Sequence, residues 1–243
     1  MYEPQLRIAG SGPLLVFVPG MDGTGALFYR QVPNLARSHR VATYALRENA
    51  TMEDLVSDLA DVIRGAAPDQ RATVVGESFG GTVALSFALA HPALLERLVV
   101  LNSFPRFLPQ GRLRLAIAVL RALPFPWAVM RVVRRLTAFR LHSRHTHARE
   151  IRRFLAVTAR TTRGGYLQRL RILRDYDLRE RLGEIRAPTL FLASDRDHLV
   201  PAVPQARYMA ERVPGATLRI LRGHGHICLI APDLDLAQIL ASA

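Results

Sequence analysis

The stretch Ala72–Leu85, ATVVGESFGGTVAL, decides the fold. Its first residues are small or β-branched and predict a buried strand, and the apolar run after the glycines predicts a helix. Between them, Gly76-x-Ser78-x-Gly80 matches the G-x-S-x-G turn, which holds a serine clear of the backbone at a sharp strand-to-helix corner. The helix start supplies free N–H groups and a positive dipole end. Ser78 is therefore the candidate nucleophile, although glycine packing alone also produces such a turn.

Short apolar runs alternate with helical patterns on both sides of this stretch. Predicted strands cover 5–8, 14–18, 40–44, 98–101, 189–192 and 216–221, and predicted helices cover 26–36, 201–213, 232–240 and a segment that starts behind the cap residue Thr51. Such alternation predicts an α/β fold with a mostly parallel central sheet and helices on both faces. Reactive groups in this architecture lie at the carboxyl ends of the strands.

Residues 104–184, here called the inserted segment, interrupt the alternation with a helical, proline-punctuated pattern. We predict an α/β core from 1–103 and 185–243, with the inserted segment forming a helical cap, or lid, over Ser78. Its apolar side chains either line an acyl pocket or only pack the cap on the core. They are Leu113, Leu115, Ile117, Val119, Leu120, Leu123, Phe125, Trp127, Val129, Met130, Val132, Val133 and Leu136.

The inserted segment also carries the positive charge. The chain has 33 basic residues, all arginine, and a net charge of +13, and the inserted segment alone has 19 arginines against 5 acidic residues. Those interleaved with its apolar positions are Arg112, Arg114, Arg121, Arg131, Arg134, Arg135 and Arg140. A basic amphipathic helix can contact an anionic membrane or an anionic ligand, although a solvated helix face is the commoner case. Without a recognition motif, we expect no nucleic-acid binding.

Composition narrows the protein class further. With 243 residues, 49% of them hydrophobic, the chain can bury a sizeable core. A single cysteine, Cys228, excludes an internal disulfide, and neither a secretory signal nor an 18-residue apolar span is found, so we expect a cytoplasmic protein. We expect no cofactor and no metal, and we interpret His142, His145 and His147 as a polar turn.

A nucleophilic serine needs a base, and the eight histidines supply the candidates. Only His224 and His226 follow the last predicted strand, at the sheet edge where Ser78 is expected. We prefer His226, because Gly225 lets the backbone turn and the apolar residues 227–230 would fix the ring. His224 is the alternative.

The base needs an acid to orient it, and two aspartates follow the strand predicted at 189–192. We prefer Asp197, because it lies deeper in the loop, four residues before Pro201 opens the next helix. Asp195 is the alternative, although it could instead pair with Arg196 or cap the turn.

An oxyanion hole needs two backbone donors, one after the nucleophile and one from the loop after the first core strand. The N–H groups of Phe79 and Met21 fit those positions. The glycine-rich loop 19–25 could instead bind phosphate, but it lacks both the phosphate-loop pattern and a lysine, and its glycine spacing differs from that of dinucleotide loops.

These motifs resemble the α/β-hydrolase superfamily, in its esterase, lipase and thioesterase-type branch. The resemblance runs from Leu14 to the C-terminus outside the inserted segment and rests on residues 19–25 (PGMDGTG) and 76–81 (GESFGG). It implies the same assignment: Ser78, Asp197 and His226 as a catalytic triad, with Met21 and Phe79 as oxyanion donors. One departure is Pro19, where many relatives carry histidine; the backbone donor survives that change.

The favoured hypothesis is therefore a serine hydrolase that cleaves a small-molecule carboxylic ester or thioester through an acyl-enzyme. An acyltransferase with the same triad and an alcohol or amine acceptor is the first alternative. A catalytically silent fold that binds a partner through its basic cap is the second.

Overall fold

A computed structural model describes residues 5–122 and 141–242. The strands are β1 Arg7–Ala9, β2 Leu14–Val18, β3 Arg40–Thr43, β4 Ala72–Glu77, β5 Leu95–Leu101, β6 Thr189–Ser194 and β7 Thr217–Leu221. They form one seven-stranded sheet in the order β1-β3-β2-β4-β5-β6-β7, in which only β1 pairs antiparallel. The predicted fold class, an α/β fold with a mostly parallel sheet, is confirmed.

Each central strand buries both of its faces, which explains its continuous apolar sequence. In β2, Val16 packs into one hydrophobic core and its neighbour Phe17 into another. Adjacent residues of β4 alternate in the same way, with Val74 on the first side and Val75 on the second. The period-two alternation of a strand thus divides the interior into two layers, one on each side of the sheet.

The helices cover these two layers. They are α1 Val32–Leu35, α2 Met52–Ala66, α3 Phe79–Ala90, α4 Gln110–Ala122, α5 Ala148–Thr158, α6 Arg163–Asp175, α7 Ala202–Ala210 and α8 Leu236–Ala241. The predicted start of α2 is confirmed, because the Thr51 hydroxyl accepts from the Asp54 N–H and the Asp54 carboxylate accepts from the Thr51 N–H. Of the described helices, none is long and apolar enough to cross a bilayer.

Three helix predictions were too long, and the one over 201–213 is observed as Ala202–Ala210. Only Val32–Leu35 of the predicted helix 26–36 is helical, because the preceding Phe28 is drawn into the core, where its ring stacks on Phe17 at 4.3 Å. The terminal helix was predicted from 232 but begins at Leu236, where the Asp235 carboxylate caps the N–H of Ala237.

The inserted segment leaves the sheet after β5 and returns at β6. In α4, Leu113 and Ile117 are buried in the core, whereas Leu115 and Val119 are 65% and 43% exposed. For the apolar residues of α4, these exposures favour packing on the core over lining an acyl pocket. The apolar residues from 123 to 136 and the arginines from 131 to 140 lie outside the described residues. The division into core and cap stays a prediction.

Candidate active site

Four loops converge at the carboxyl edge of the sheet. They follow β2, β4, β6 and β7, and they carry Met21, Ser78, Asp197 and His226, respectively. Because β2 and β4 are neighbours and β6 and β7 are neighbours, the parallel order brings residues far apart in the chain to one edge.

Ser78 stands at a strained corner between β4 and α3. Its φ of 55° and ψ of −120° lie where L-residues are rare, and such strain is typical of functional positions. A Cβ on Gly76 would lie 2.4 Å from the carbonyl oxygen of Gly80, so the corner closes only around a glycine. The Ser78 N–H donates to the Leu101 carbonyl at 2.9 Å, and the Ser103 hydroxyl donates to the Ser78 carbonyl at 2.7 Å. The backbone of Ser78 is thus fixed independently of its side chain.

A continuous hydrogen-bonded chain joins the serine, histidine and aspartate. Nε2 of His226 lies 3.0 Å from Ser78 Oγ, and Nδ1 of His226 lies 2.7 Å from Asp197 Oδ2. Oδ1 of Asp197 accepts from the N–H groups of Leu199 and Val200 at 2.9 and 3.0 Å, which fixes the carboxylate. Because a carboxylate oxygen accepts, this geometry favours the neutral tautomer of His226 with its proton on Nδ1, in which Nε2 faces the serine hydroxyl as an acceptor.

The alternative aspartate and histidine have other partners. Oδ1 of Asp195 accepts from the Gly223 N–H at 2.7 Å and so holds the start of the loop after β7. Nδ1 of His224 lies 2.9 Å from the hydroxyl of Ser143. The structure therefore brings Asp197 and His226, rather than Asp195 and His224, to Ser78.

The loop after β2 forms a tight turn beside Ser78. The Gly23 N–H donates to the Gly20 carbonyl at 3.0 Å, and a Cβ on Gly20 would lie 3.6 Å from the Cβ of Ser78. Within the described residues, the N–H groups of Met21 and Phe79 have no hydrogen-bond acceptor. The two predicted oxyanion donors thus lie one in the 20–23 turn and one at the start of α3.

A buried carboxyl that the sequence analysis did not single out, Glu77, directly precedes Ser78. Burial raises the pKa of Glu77 to about 7, although the positive charge of His226 opposes the shift. Burial alone would lower the pKa of His226, but the hydrogen bond and charge of Asp197, together with the charge of Glu77, raise it above its ordinary value. A charged residue between a buried strand and a turn serine was the sequence signal.

We expect Glu77→Gln to stabilise the protein more at alkaline than at acidic pH. The pKa of Glu77 rises from 4.5 to about 7 on folding, so this carboxyl destabilises the fold progressively as the pH rises from about 4.5 through about 7. The expected gain is roughly 3 kcal/mol near pH 8.5 and much less near pH 5. Urea unfolding at the two pH values measures it.

The exposed Glu48 is the control, since Glu48→Gln should leave the difference between the two pH values unchanged. Glu77→Gln also removes a negative charge that raises the pKa of His226. The acid limb of the pH profile of kcat/KM should therefore move to lower pH, because the base acts only when it is neutral. An unmoved limb and equal stability gains at both pH values would contradict the prediction.

Asn102, a second residue that the sequence analysis did not reveal, links the carboxyl ends of β5 and β6 to the loop after β7. Its amide donates to the carbonyl of His226 and to the hydroxyl of Ser194, both at 2.9 Å, and its side-chain oxygen accepts from the Ser194 N–H at 2.8 Å. Asn102 is 1% exposed and has a φ of 47°. Its sequence signal was a polar pair, Asn102-Ser103, directly after an apolar strand.

A strained serine and a hydrogen-bonded histidine–aspartate pair at the carboxyl edge of a mostly parallel sheet are features of the α/β-hydrolase class of folds. The family model described as alpha/beta hydrolase fold matches residues 13–231. The chain belongs to the alpha/beta hydrolase fold family, as its resemblance implied.

Relatives in this family are hydrolases and esterases. The chain is 30% identical to a pimeloyl-[acyl-carrier protein] methyl ester esterase of Photobacterium profundum, over 95% of this chain and 94% of the relative. A Yersinia enterocolitica protein provisionally named carbamate hydrolase RutD is 28% identical over 94% and 86%. The crystal structure of a hydrolase from Pseudomonas aeruginosa has a TM-score of 0.79 and 26% identity over 91% and 86%. The prediction of an α/β-hydrolase-type enzyme is confirmed at this level.

Proposed function

We propose that the chain is a serine hydrolase that cleaves carboxylic ester or thioester bonds of small molecules. The single observation that carries this proposal is the hydrogen-bonded chain from Ser78 Oγ through His226 to Asp197. Its order and its tautomer are those that an acyl-transfer triad needs.

In the proposed reaction, Nε2 of His226 takes the proton of Ser78 as Oγ attacks the acyl carbonyl. Asp197 stabilises the imidazolium that forms. The oxyanion accepts hydrogen bonds from the N–H groups of Met21 and Phe79, whose positions are fixed before the substrate binds. His226 then protonates the leaving alcohol or thiol. In the second half of the reaction, His226 takes a proton from water as the water attacks the acyl carbonyl, and it returns that proton to Oγ of Ser78 as the carboxylic acid leaves.

Labelling by a fluorophosphonate probe tests the proposed nucleophile. One equivalent of the probe should release its fluoride as Oγ of Ser78 forms a bond to phosphorus, and peptide mapping should assign the phosphonyl group that the folded protein gains to Ser78. A screen of p-nitrophenyl and acyl-CoA esters of increasing chain length then gives the preferred acyl group. Folded protein that neither labels at Ser78 nor turns over any of these esters would point to the silent, partner-binding alternative.

Acyl transfer to an alcohol or amine is the second candidate function. It is favoured by the burial of the proposed nucleophile and base, since Ser78 and His226 are 8% and 5% exposed. Water reaches a buried acyl-enzyme less readily, and an acceptor held there would compete with it. Product analysis with a primary alcohol at a concentration far below that of water separates the two functions, because only a transferase then forms the new ester as its main product.

Contact between the basic inserted segment and an anionic surface stays a prediction. Several of its arginines pair with acidic neighbours, as Arg106 does with Asp177 and Arg181 with Glu184. Its 19 arginines nevertheless outnumber its 5 acidic residues, so the excess of positive charge remains after such pairing.

A further inference from the structure

A buried arginine lies directly behind the 20–23 turn. Arg169, in α6, is only 4% exposed, whereas Arg174 on the same helix is exposed and pairs with the adjacent Asp175. A guanidinium group is rarely buried unless hydrogen bonds compensate for its lost hydration. The contacts of Arg169 therefore indicate why the charge lies inside the protein.

Two of those contacts are hydrogen bonds to the backbone of the turn, and the charge of Arg169 also acts on the buried carboxyl of Asp22. Nε of Arg169 donates to the carbonyl of Met21 at 3.0 Å, and Nη2 donates to the carbonyl of Asp22 at 3.4 Å. The hydroxyl of Thr161, from the residues just before α6, donates to the same Asp22 carbonyl at 3.0 Å. Both middle carbonyls of the turn are thus bound from the inserted segment.

The turn is shaped to admit the guanidinium group. Gly23 has a φ of 68°, and a Cβ at this position would lie 2.7 Å from Nη1 of Arg169. A residue with a side chain would displace the arginine, besides being strained in this left-handed region. The close fit indicates that the turn and Arg169 form one unit.

We propose that Arg169 is a positioning residue that holds the Met21 N–H in the oxyanion hole, an inference that rests on the proposed function. The Gly23–Gly20 hydrogen bond holds the Gly20 carbonyl, which shares a peptide plane with the Met21 N–H, but the next two planes, 21–22 and 22–23, can still rotate. Fixing the carbonyls of Met21 and Asp22 removes that freedom, so that the Met21 α-carbon has the Gly20 carbonyl held on one side and its own carbonyl held on the other. The Met21 N–H is then aimed before the oxyanion forms, which is when such a donor stabilises the transition state most.

This role couples the inserted segment to the reaction. The donor atoms that hold the turn belong to α6 and to the residues just before it, whereas the turn belongs to the sheet edge. The oxyanion hole is therefore complete only when α6 is packed on the core.

Arg169→Met tests the role, with Arg174→Gln as the control on the same helix. In Arg169→Met we expect kcat for p-nitrophenyl butyrate to fall about 10- to 100-fold, with KM changed less than about threefold. The affinity for a trifluoromethyl ketone, which forms a tetrahedral oxyanion on the serine, should fall in parallel. Arg169→Lys keeps the charge but cannot reach both carbonyls, so its kcat should also fall. Arg174→Gln should match the wild type.

Added guanidinium should restore part of the kcat lost in Arg169→Ala, which a general loss of packing would not allow. A folded Arg169→Met protein with wild-type kcat, or with a loss confined to KM, would overturn the proposal. Should Arg169→Met not fold, the charge-keeping Arg169→Lys is assayed in its place, and a wild-type kcat in that protein would overturn the proposal equally. If the wild-type protein shows no Ser78-dependent turnover, the proposed function fails first and this role fails with it.

Discussion

Ser78→Ala should lower kcat for p-nitrophenyl esters by roughly 10⁴- to 10⁶-fold. The hydroxyl is the proposed nucleophile, and without it only the oxyanion donors and substrate binding remain to assist attack by water. The fold should survive, because the hydrogen bonds that fix residue 78 involve its backbone N–H and carbonyl. Alanine adopts the φ of 55° no less readily than serine does.

Steady-state kinetics and thermal unfolding of the same samples check this result. Ser57→Ala, at an exposed position of α2, is the matched control and should keep wild-type kcat and Tm. Full esterase activity in Ser78→Ala would reject Ser78 as the nucleophile. If the Tm of Ser78→Ala instead lies many degrees below that of the wild type, its loss of activity reflects unfolding and not the loss of the nucleophile.

Asp197→Asn should lower kcat about 10⁴-fold. The Leu199 and Val200 N–H groups bind Oδ1 of Asp197, so the asparagine oxygen should remain there and its NH₂ group should face Nδ1 of His226. A donor at that position forces the proton of the neutral ring onto Nε2, which then cannot accept the proton of Ser78. The loss comes from the wrong tautomer in an otherwise intact site.

Asp195→Asn, in the same loop, is the matched control. Its side-chain oxygen can still accept from the Gly223 N–H, so we expect kcat within about threefold of the wild type. The test is a comparison of kcat and of the acid limb of the pH profile for both variants. The limb should move to lower pH only in Asp197→Asn, because Asp197 raises the pKa of His226. Equal losses in the two variants would contradict the assignment.

Much of this fold can be predicted from local sequence patterns. The apolar run Leu14–Val18 forms a strand with the predicted bounds, and Thr51 and Asp54 mark the helix start, because strand burial and capping depend on residues close in the chain. Where tertiary contacts compete with the pattern, the prediction was wrong. Phe28 lies in a stretch with helical spacing, yet its ring is buried against Phe17, a contact that no local pattern reveals.

One rule, that reactive groups follow parallel strands, limited the candidate site residues to the loops after the predicted strands. The rule left Asp195 beside Asp197 and His224 beside His226, because neighbours in one loop share the same strand end. What separates them is the direction of each side chain, set by partners such as the Gly223 N–H and the Ser143 hydroxyl. Arg169 had no local signal at all, since its acceptors lie about 150 residues away in the chain.

The many contacts of the inserted segment bear on engineering by segment exchange. The carbonyl of Leu141 accepts from the Ile227 N–H beside His226, and the hydroxyl of Tyr176 donates to the Thr82 carbonyl in the helix behind Ser78. A chimera that replaces residues 104–184 with a foreign sequence must therefore supply equivalents of these groups as well as compatible ends.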